Sequence, residues 1–234
     1  MNGNTTIARG LSTRKAFIDS SLQAEFEENG YVLIPGVLHK DSIAALSDVY
    51  DRFSPSVTAG FHVTNWIKDP AYSAASHEKI AFLLAPKLKG ILNNYRPVLG
   101  CFAVKEKGRD NTMGLHQDWS LTDESAFCGI SAWVPLIDVA ADSGALQMLR
   151  GSHRLFRNIR GQKISNQLDR LSAGTLHQYL TSVPMKAGDM LLLHHRIVHC
   201  SGPAMHRRIA AMMAMIPEEG APEALCGRQR RYDR

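Results

Sequence analysis

Apolar residues recur at helical spacing early in this chain and as short strand-like runs through the rest, and that order constrains the fold more than any other feature. From about residue 97 the runs "VLGCFAV", "MGLHQDW", "GISAWVPLI", "ALQML", "DMLLLHHRIVH" and "RIAAMMAMI" are separated by Gly, Asp, Asn and Pro. Short apolar runs bounded by turn residues read as strands of a sandwich or barrel. Upstream, residues 21–29 form a short helix, with Ser20 and Gln23 as a capping box and Asn29-Gly30 as its stop. "YVLIPG" follows as a strand. A helix starting at Asp41 has one apolar face, made by Ile43, Leu46, Val49, Tyr50 and Phe53. A third helical region covers about 76–95, with Ile80, Leu83, Leu84, Leu88, Ile91 and Leu92 on one side, and Pro86 should kink or split it. Helices first and strands after argue for helices packed on antiparallel β-structure, not for alternating βαβ units. No glycine-rich nucleotide fingerprint follows a strand.

A length of 234 residues suits one domain. Apolar residues at 44% and charged residues at 21% are ordinary for a soluble globular chain. No stretch reaches the roughly 20 apolar residues of a membrane span. The net charge of +5 is mild. It reads as a solvated basic surface, with a pocket for an acidic substrate as the functional reading. The dense basic run "GRQRRYDR" sits at the C-terminal end, so nucleic acid is not an expected partner. Cysteines 101, 128, 200 and 226 form no CxxC pair, which points to reduced thiols and a cytoplasmic setting. "MNGNTTIARGLSTRKAF" has no apolar h-region, so a secretory signal is not expected. The long polar segment 154–180 reads as a functional, lid-like loop.

"GLHQDWSL" places His116 and Asp118 two apart. Residues i and i+2 of a strand share a face, so both side chains project together if this stretch is extended. Taken alone, such a pair is more often a hydrogen-bonded feature of a barrel wall than a metal site. With a third ligand it changes meaning. Two histidines and one carboxylate leave open positions on a metal, as in non-haem Fe(II) oxygenases. The third-ligand candidates are His194, His195 and His199 in "GDMLLLHHRIVHCSGP". Adjacent His194 and His195 face opposite ways, so at most one points inward. Spacing does not choose among the three.

Five stretches in order resemble the phytanoyl-CoA dioxygenase family, a branch of the Fe(II)/2-oxoglutarate-dependent oxygenases. They are "FEENGYVLIPGVLHKDSIAAL", "FAVKEKGRDNTMGLHQDWS", "AWVPLIDVAADSGALQMLRGSHR", "GDMLLLHHRIVHCSGP" and "RRIAAMMAMIP". The resemblance implies a mainly β fold with flanking helices: a double-stranded β-helix (jelly roll, cupin-like) with N-terminal helices packed on the sheet. It implies one oxygenase domain over 1–234, with a polar arm at 1–15, a helical buttress with the first strand at 16–96, the β-helix core at 97–217 and a basic tail at 218–234.

By the same resemblance, His116 and Asp118 are the proximal iron ligands. His199, directly before C-S-G-P, is the distal one. His194 and His153 match structural histidines of the family. The cosubstrate 2-oxoglutarate needs a buried cation for its far carboxylate, and an arginine fork suits it. Neighbouring Arg207 and Arg208 face opposite ways, and "RIA" marks Arg208, with Arg207 as the alternative. Ser201 and Trp133 fall where the family contacts the cosubstrate. The chain departs from the family at Ala204, where an asparagine is usual. Related halogenases carry a small residue at the carboxylate position, so Asp118 implies oxygen insertion instead. Gln117, Trp119, Lys105 and Arg109 are candidates for the substrate pocket.

The implied activity is hydroxylation of an unactivated C–H bond of a small, possibly acidic molecule, with dioxygen as oxidant and 2-oxoglutarate decarboxylated to succinate. Desaturation, epoxidation or cyclisation would use the same iron site. A non-catalytic cupin-like protein that binds a metal or small acid is the alternative from another class. A monomer or homodimer is expected.

Overall fold

The computed structural model describes residues 14–53, 59–108, 110–140, 142–161, 164, 166, 168 and 173–222. Helices α1 (Ser20–Asn29), α2 (Lys40–Phe53) and α3 (Pro70–Leu88) come early. Strand β1 (Tyr31–Ile34) separates the first two, and β2 (Phe61–Val63) with a 3-10 turn (Thr64–Trp66) precedes the third. The rest is β3 (Tyr95–Lys105), β4 (Met113–His116), β5 (Ile130–Pro135), β6 (Leu146–Leu149), β7 (Leu180–Val183), β8 (Met190–His194), β9 (His199–Ser201) and β10 (Arg208–Pro217). A second 3-10 turn (Ser152–Arg154) and the short α4 (Ala173–His177) lie between β6 and β7. The strands make a six-stranded sheet, ordered β1-β8-β5-β10-β3-β2, and a four-stranded sheet, ordered β4-β9-β6-β7. Every pairing between them is antiparallel. This is the expected double-stranded β-helix.

Strand alternation sorts the large sheet into two faces. Ile130, Ala132 and Val134 of β5, Met190 and Leu192 of β8, and Ala211 and Met213 of β10 pack under the helices. Their neighbours Trp133, Leu191, Leu193 and Ala210 turn the other way and meet Leu146, Met148 and Val183 of the small sheet. Both faces of the large sheet are covered, so its strands read as continuous apolar runs instead of an alternation.

Helix α3 holds the sheet from outside. Tyr72, Ser76, Ile80, Leu84 and Leu88 form one buried ridge at four-residue spacing. The helix starts earlier than expected and ends earlier. Asp69 accepts from the Tyr72 amide and Pro70 occupies the first turn, a start signal upstream of the expected 76. Ile91 and Leu92 lie beyond the helix end, and Leu92 bridges to Phe17. Pro86 does not split the helix, which runs through it to Leu88. The bond it forgoes is to the Phe82 carbonyl, on a residue 73% exposed, where water can replace it.

The α1 cap also differs from expectation. Asp19, not Ser20, accepts from the Ser21 and Leu22 amides. Gln23 turns back to accept from Ala16 and Phe17. Gly30 ends the helix in the left-handed region (φ 83°), and an added Cβ there would meet His153 Nδ1 at 2.5 Å. Cys101, Cys128 and Cys200 are free thiols. Among the described residues no helix is long and apolar enough to cross a membrane.

Candidate metal centre

Strands β4 and β9 pair with His116 opposite His199. Their ring centroids are 4.2 Å apart. His199 Nε2 lies 3.9 Å from Asp118 Oδ1. One ligand atom from each of His116, Asp118 and His199 falls within 4.8 Å of the others. The Nδ1 of His116 faces the Gly114 carbonyl at 2.9 Å, and that of His199 faces the Ile197 carbonyl at 3.1 Å. Each carbonyl fixes the proton on Nδ1 and leaves Nε2 with a free lone pair, the form a metal needs. Burial, then repulsion by His199, pushes His116 down to about 4. Burial opposes the charged Asp118, but His199, His195, His116 and the Ser131 hydroxyl outweigh it and hold the carboxyl below its usual range. Two imidazoles that turn Nε2 toward one carboxylate fit a divalent ion.

The strand carrying His116 ends there, so Asp118 stands on a loop. Other contacts aim it. The Ser131 hydroxyl donates to Asp118 Oδ2 at 2.6 Å, leaving Oδ1 toward the histidines. Arg160 Nε donates to the Asp118 carbonyl at 2.7 Å. Arg160 also meets Glu124 at 2.6 Å, and Arg196 meets the same carboxylate at 3.4 Å, all three side chains under 9% exposed. Arg160 belongs to the segment expected as a lid. In its described part that segment packs against the ligand strands, with Leu168 beside Leu115 and Val198.

Arg208 begins β10 and shares its inward face with Ala210 and Met212. It is 1% exposed. Its guanidinium lies 5.2 Å from the centre of the Trp133 ring and donates to the Gly144 carbonyl at 2.7 Å, while Nε has no partner among the described residues. Burial pushes its pKa down to about 9. No carboxylate pairs with it among the described residues, so this guanidinium fits the carboxylate of a ligand. Arg207 turns outward, half exposed, and binds Glu106 at 2.8 Å. Ser201 is buried and lines the same cavity as Arg208 and Trp133.

Lys105 is fully buried but does not line that cavity. Its amine donates to the carbonyls of Asn111, Ser201 and Gly202. Burial, then Arg208, pushes it down to about 7. Asn111 accepts from the Ala204 amide at 2.9 Å and donates to the Ala204 carbonyl at 2.8 Å. Both residues fix the backbone between β9 and β10, and Asn111 supports the place where the family's asparagine is missing. No sequence signal marked Asn111.

Gln117 and Trp119 line the cavity. The Gln117 amide, however, is engaged by the Arg196 and Phe156 carbonyls. Arg109 lies outside the described residues. His194 faces the helices, stacked on Phe26 at 5.8 Å and tilted against His153 at 5.2 Å. His195 is the inward member of the pair and also lines the cavity, but is not part of the three-residue cluster. It presses on Gly129, where an added Cβ would fall within the imidazole. Phe61, Asn65 and Trp66, from β2 and its 3-10 turn, complete the outer wall. A three-residue strand and a single 3-10 turn carry no periodicity, so no sequence signal marks them.

A double-stranded β-helix holding two histidines, a carboxylate and a buried arginine in one cavity defines the class of non-haem iron oxygenases. A profile of phytanoyl-CoA dioxygenase (PhyH) matches residues 26–209, and the chain belongs to that family of Fe(II)/2-oxoglutarate-dependent oxygenases. No curated protein sequence matches it. Solved structures share the fold at low identity. The epimerase SnoN, in complex with Fe3+, alpha ketoglutarate and nogalamycin RO, is 22% identical over 88% of this chain and 87% of its own, with a TM-score of 0.62. The carbocyclase SnoK from nogalamycin biosynthesis is 20% identical over 88% and 86%, also at 0.62. HygX from Streptomyces hygroscopicus, with nickel, 2-oxoglutarate and hygromycin B bound, is 18% identical over 86% and 88%, at 0.61.

Proposed function

We propose that this oxygenase hydroxylates an unactivated C–H bond of a small molecule, with Fe(II) held by His116, Asp118 and His199 and 2-oxoglutarate held by Arg208. One observation carries the reading: three converging ligand atoms, and a buried guanidinium that no carboxylate meets among the described residues, line one cavity. When bound, the ion and cosubstrate supply dioxygen activation and oxidation of the C–H bond, with 2-oxoglutarate leaving as succinate and carbon dioxide.

The chain's own residues do the positioning. The Gly114 and Ile197 carbonyls keep both imidazoles in the ligating tautomer. Ser131 orients Asp118, and Arg160 fixes the backbone of its loop. Arg208 anchors the far carboxylate beside Trp133 and Ser201. Lys105 and Asn111 act as positioning residues for the Ala204 turn. Asp118 fills the position that halogenation needs open. Ring closure by the same site is the second reading, because a carbocyclase shares this fold. The free, mostly buried thiols support a cytoplasmic setting.

Anaerobic Fe(II) titration tests the ligand assignment. The wild type is expected to bind one ion per chain, and His116→Ala to lose binding at least a hundredfold. Equal iron retention by the two proteins would overturn it.

A further inference from the structure

The mild basic balance of the sequence leaves room for an acidic substrate, but among the described residues the cavity wall holds one cation, Arg208. Among the described residues lining it, the charged side chains are Asp118 and Arg208. Of the described cations nearby, Lys105 is held by three carbonyls with its amine 5.7 Å from the centre of the Phe61 ring, Arg160 and Arg196 by Glu124, and Arg207 by Glu106. With the ion and cosubstrate bound, formal charges cancel: two on iron and one on the guanidinium against one on Asp118 and two on 2-oxoglutarate. A charged prime substrate would then be buried without a partner, at a cost of several kcal/mol.

The rest of the described wall is mostly apolar and aromatic, with Asn65, Gln117, Ser131, His195 and Ser201 as its neutral polar members. Phe61 and Trp66 meet edge to face at 5.9 Å, and Trp119, Leu99, Leu121 and Met212 complete the surface. The cavity opens to solvent beside these side chains, whose flat faces suit the face or edge of a ring. Within this wall the side-chain oxygen of Asn65 is buried and without a partner among the described residues. A buried acceptor needs a donor.

We propose that the prime substrate is an uncharged, ring-bearing molecule held among Phe61, Trp66 and Trp119, giving one hydroxyl or N–H hydrogen bond to Asn65. This rests on the oxygenase reading above, which assigns Asp118 and Arg208 to the ion and the cosubstrate.

Two fluorescent probes sharing one ring system separate the possibilities. N-phenyl-1-naphthylamine is neutral, and 8-anilinonaphthalene-1-sulfonate adds one anionic group. Both are titrated anaerobically into the full chain loaded with Fe(II) and 2-oxoglutarate, and cosubstrate binding is measured by calorimetry on the same sample. The neutral probe is expected to bind one per chain, at least tenfold tighter than the sulfonate. Trp66→Ala, at a residue 51% exposed and outside the core clusters, should weaken it at least fivefold, and Asn65→Ala severalfold. If 2-oxoglutarate binds but the sulfonate binds as tightly as the neutral probe, or both variants bind like wild type, the proposal is wrong and the oxygenase reading stands. If 2-oxoglutarate fails to bind, that reading falls and the proposal with it.

Discussion

At the scale of single residues, Arg207 and Arg208 carry the sharpest contrast. Neighbouring positions at a strand's start point to opposite faces, so one guanidinium is buried beside Trp133 and the other binds Glu106 near solvent. Arg208→Lys should keep iron binding and weaken 2-oxoglutarate at least tenfold, because a point charge replaces a two-pronged donor. Arg207→Ala should leave cosubstrate affinity unchanged. Calorimetry on both variants checks this, and equal losses would contradict it. The alternation that separates these arginines was legible in "RRIAAMMAMI". The same alternation would project His116 and Asp118 together only if the stretch were extended through both, and it is not. The strand ends at His116, and Asp118 is aimed by Ser131 and Arg160. Those partners lie 13 and 42 residues away, beyond any local spacing.

At the scale of elements, the buried Glu124 carboxylate couples the Asp118 loop to the turn after β8 through Arg160 and Arg196. Removing Arg160 leaves Glu124 paired with Arg196 but frees the Asp118 carbonyl. Arg160→Met should therefore weaken Fe(II) binding roughly tenfold, the usual reach of a residue that orients a ligand. The exposed Arg150–Glu28 pair is the control, since Arg150→Ala should shift stability by less than about 1 kcal/mol. Iron titration and urea denaturation of each variant check both. Helices and long strands were legible from periodicity, and their ends from caps only in part. The α3 start was marked by Asp69-Pro70, but the apolar residues past Leu88 extended the helical pattern into a turn. Strands β2 and β7, of three and four residues, are too short to announce themselves and are set by their partners β3 and β6.

At the scale of the whole molecule, buried histidines make the fold acid-sensitive. His153 is 2% exposed, and burial followed by Arg154 pushes it down to about 4. His194 is lowered further by burial and by His153 and Arg196. Both are neutral when folded, whereas unfolded histidines take up protons near 6.5. Stability is therefore full above that pH and declines as pH falls toward 4. His153 alone contributes a loss on the order of 3 kcal/mol across that window. Urea midpoints at pH 7.5 and pH 5 should differ accordingly, with the lower value at pH 5; equal midpoints would contradict this. The general architecture followed from helices preceding strands, and the family pattern supplied the topology. Which face of each strand meets the cavity depended on contacts across both sheets.

The central claim is that His116, Asp118, His199 and Arg208 together make a working oxygenase. The most direct measurement is succinate formed from 2-oxoglutarate by the aerated, Fe(II)-loaded protein without a prime substrate. Slow uncoupled turnover is expected from the wild type, with at least a hundredfold loss in His199→Ala. No succinate above background from an iron-loaded wild type, or equal amounts from both proteins, would contradict the claim.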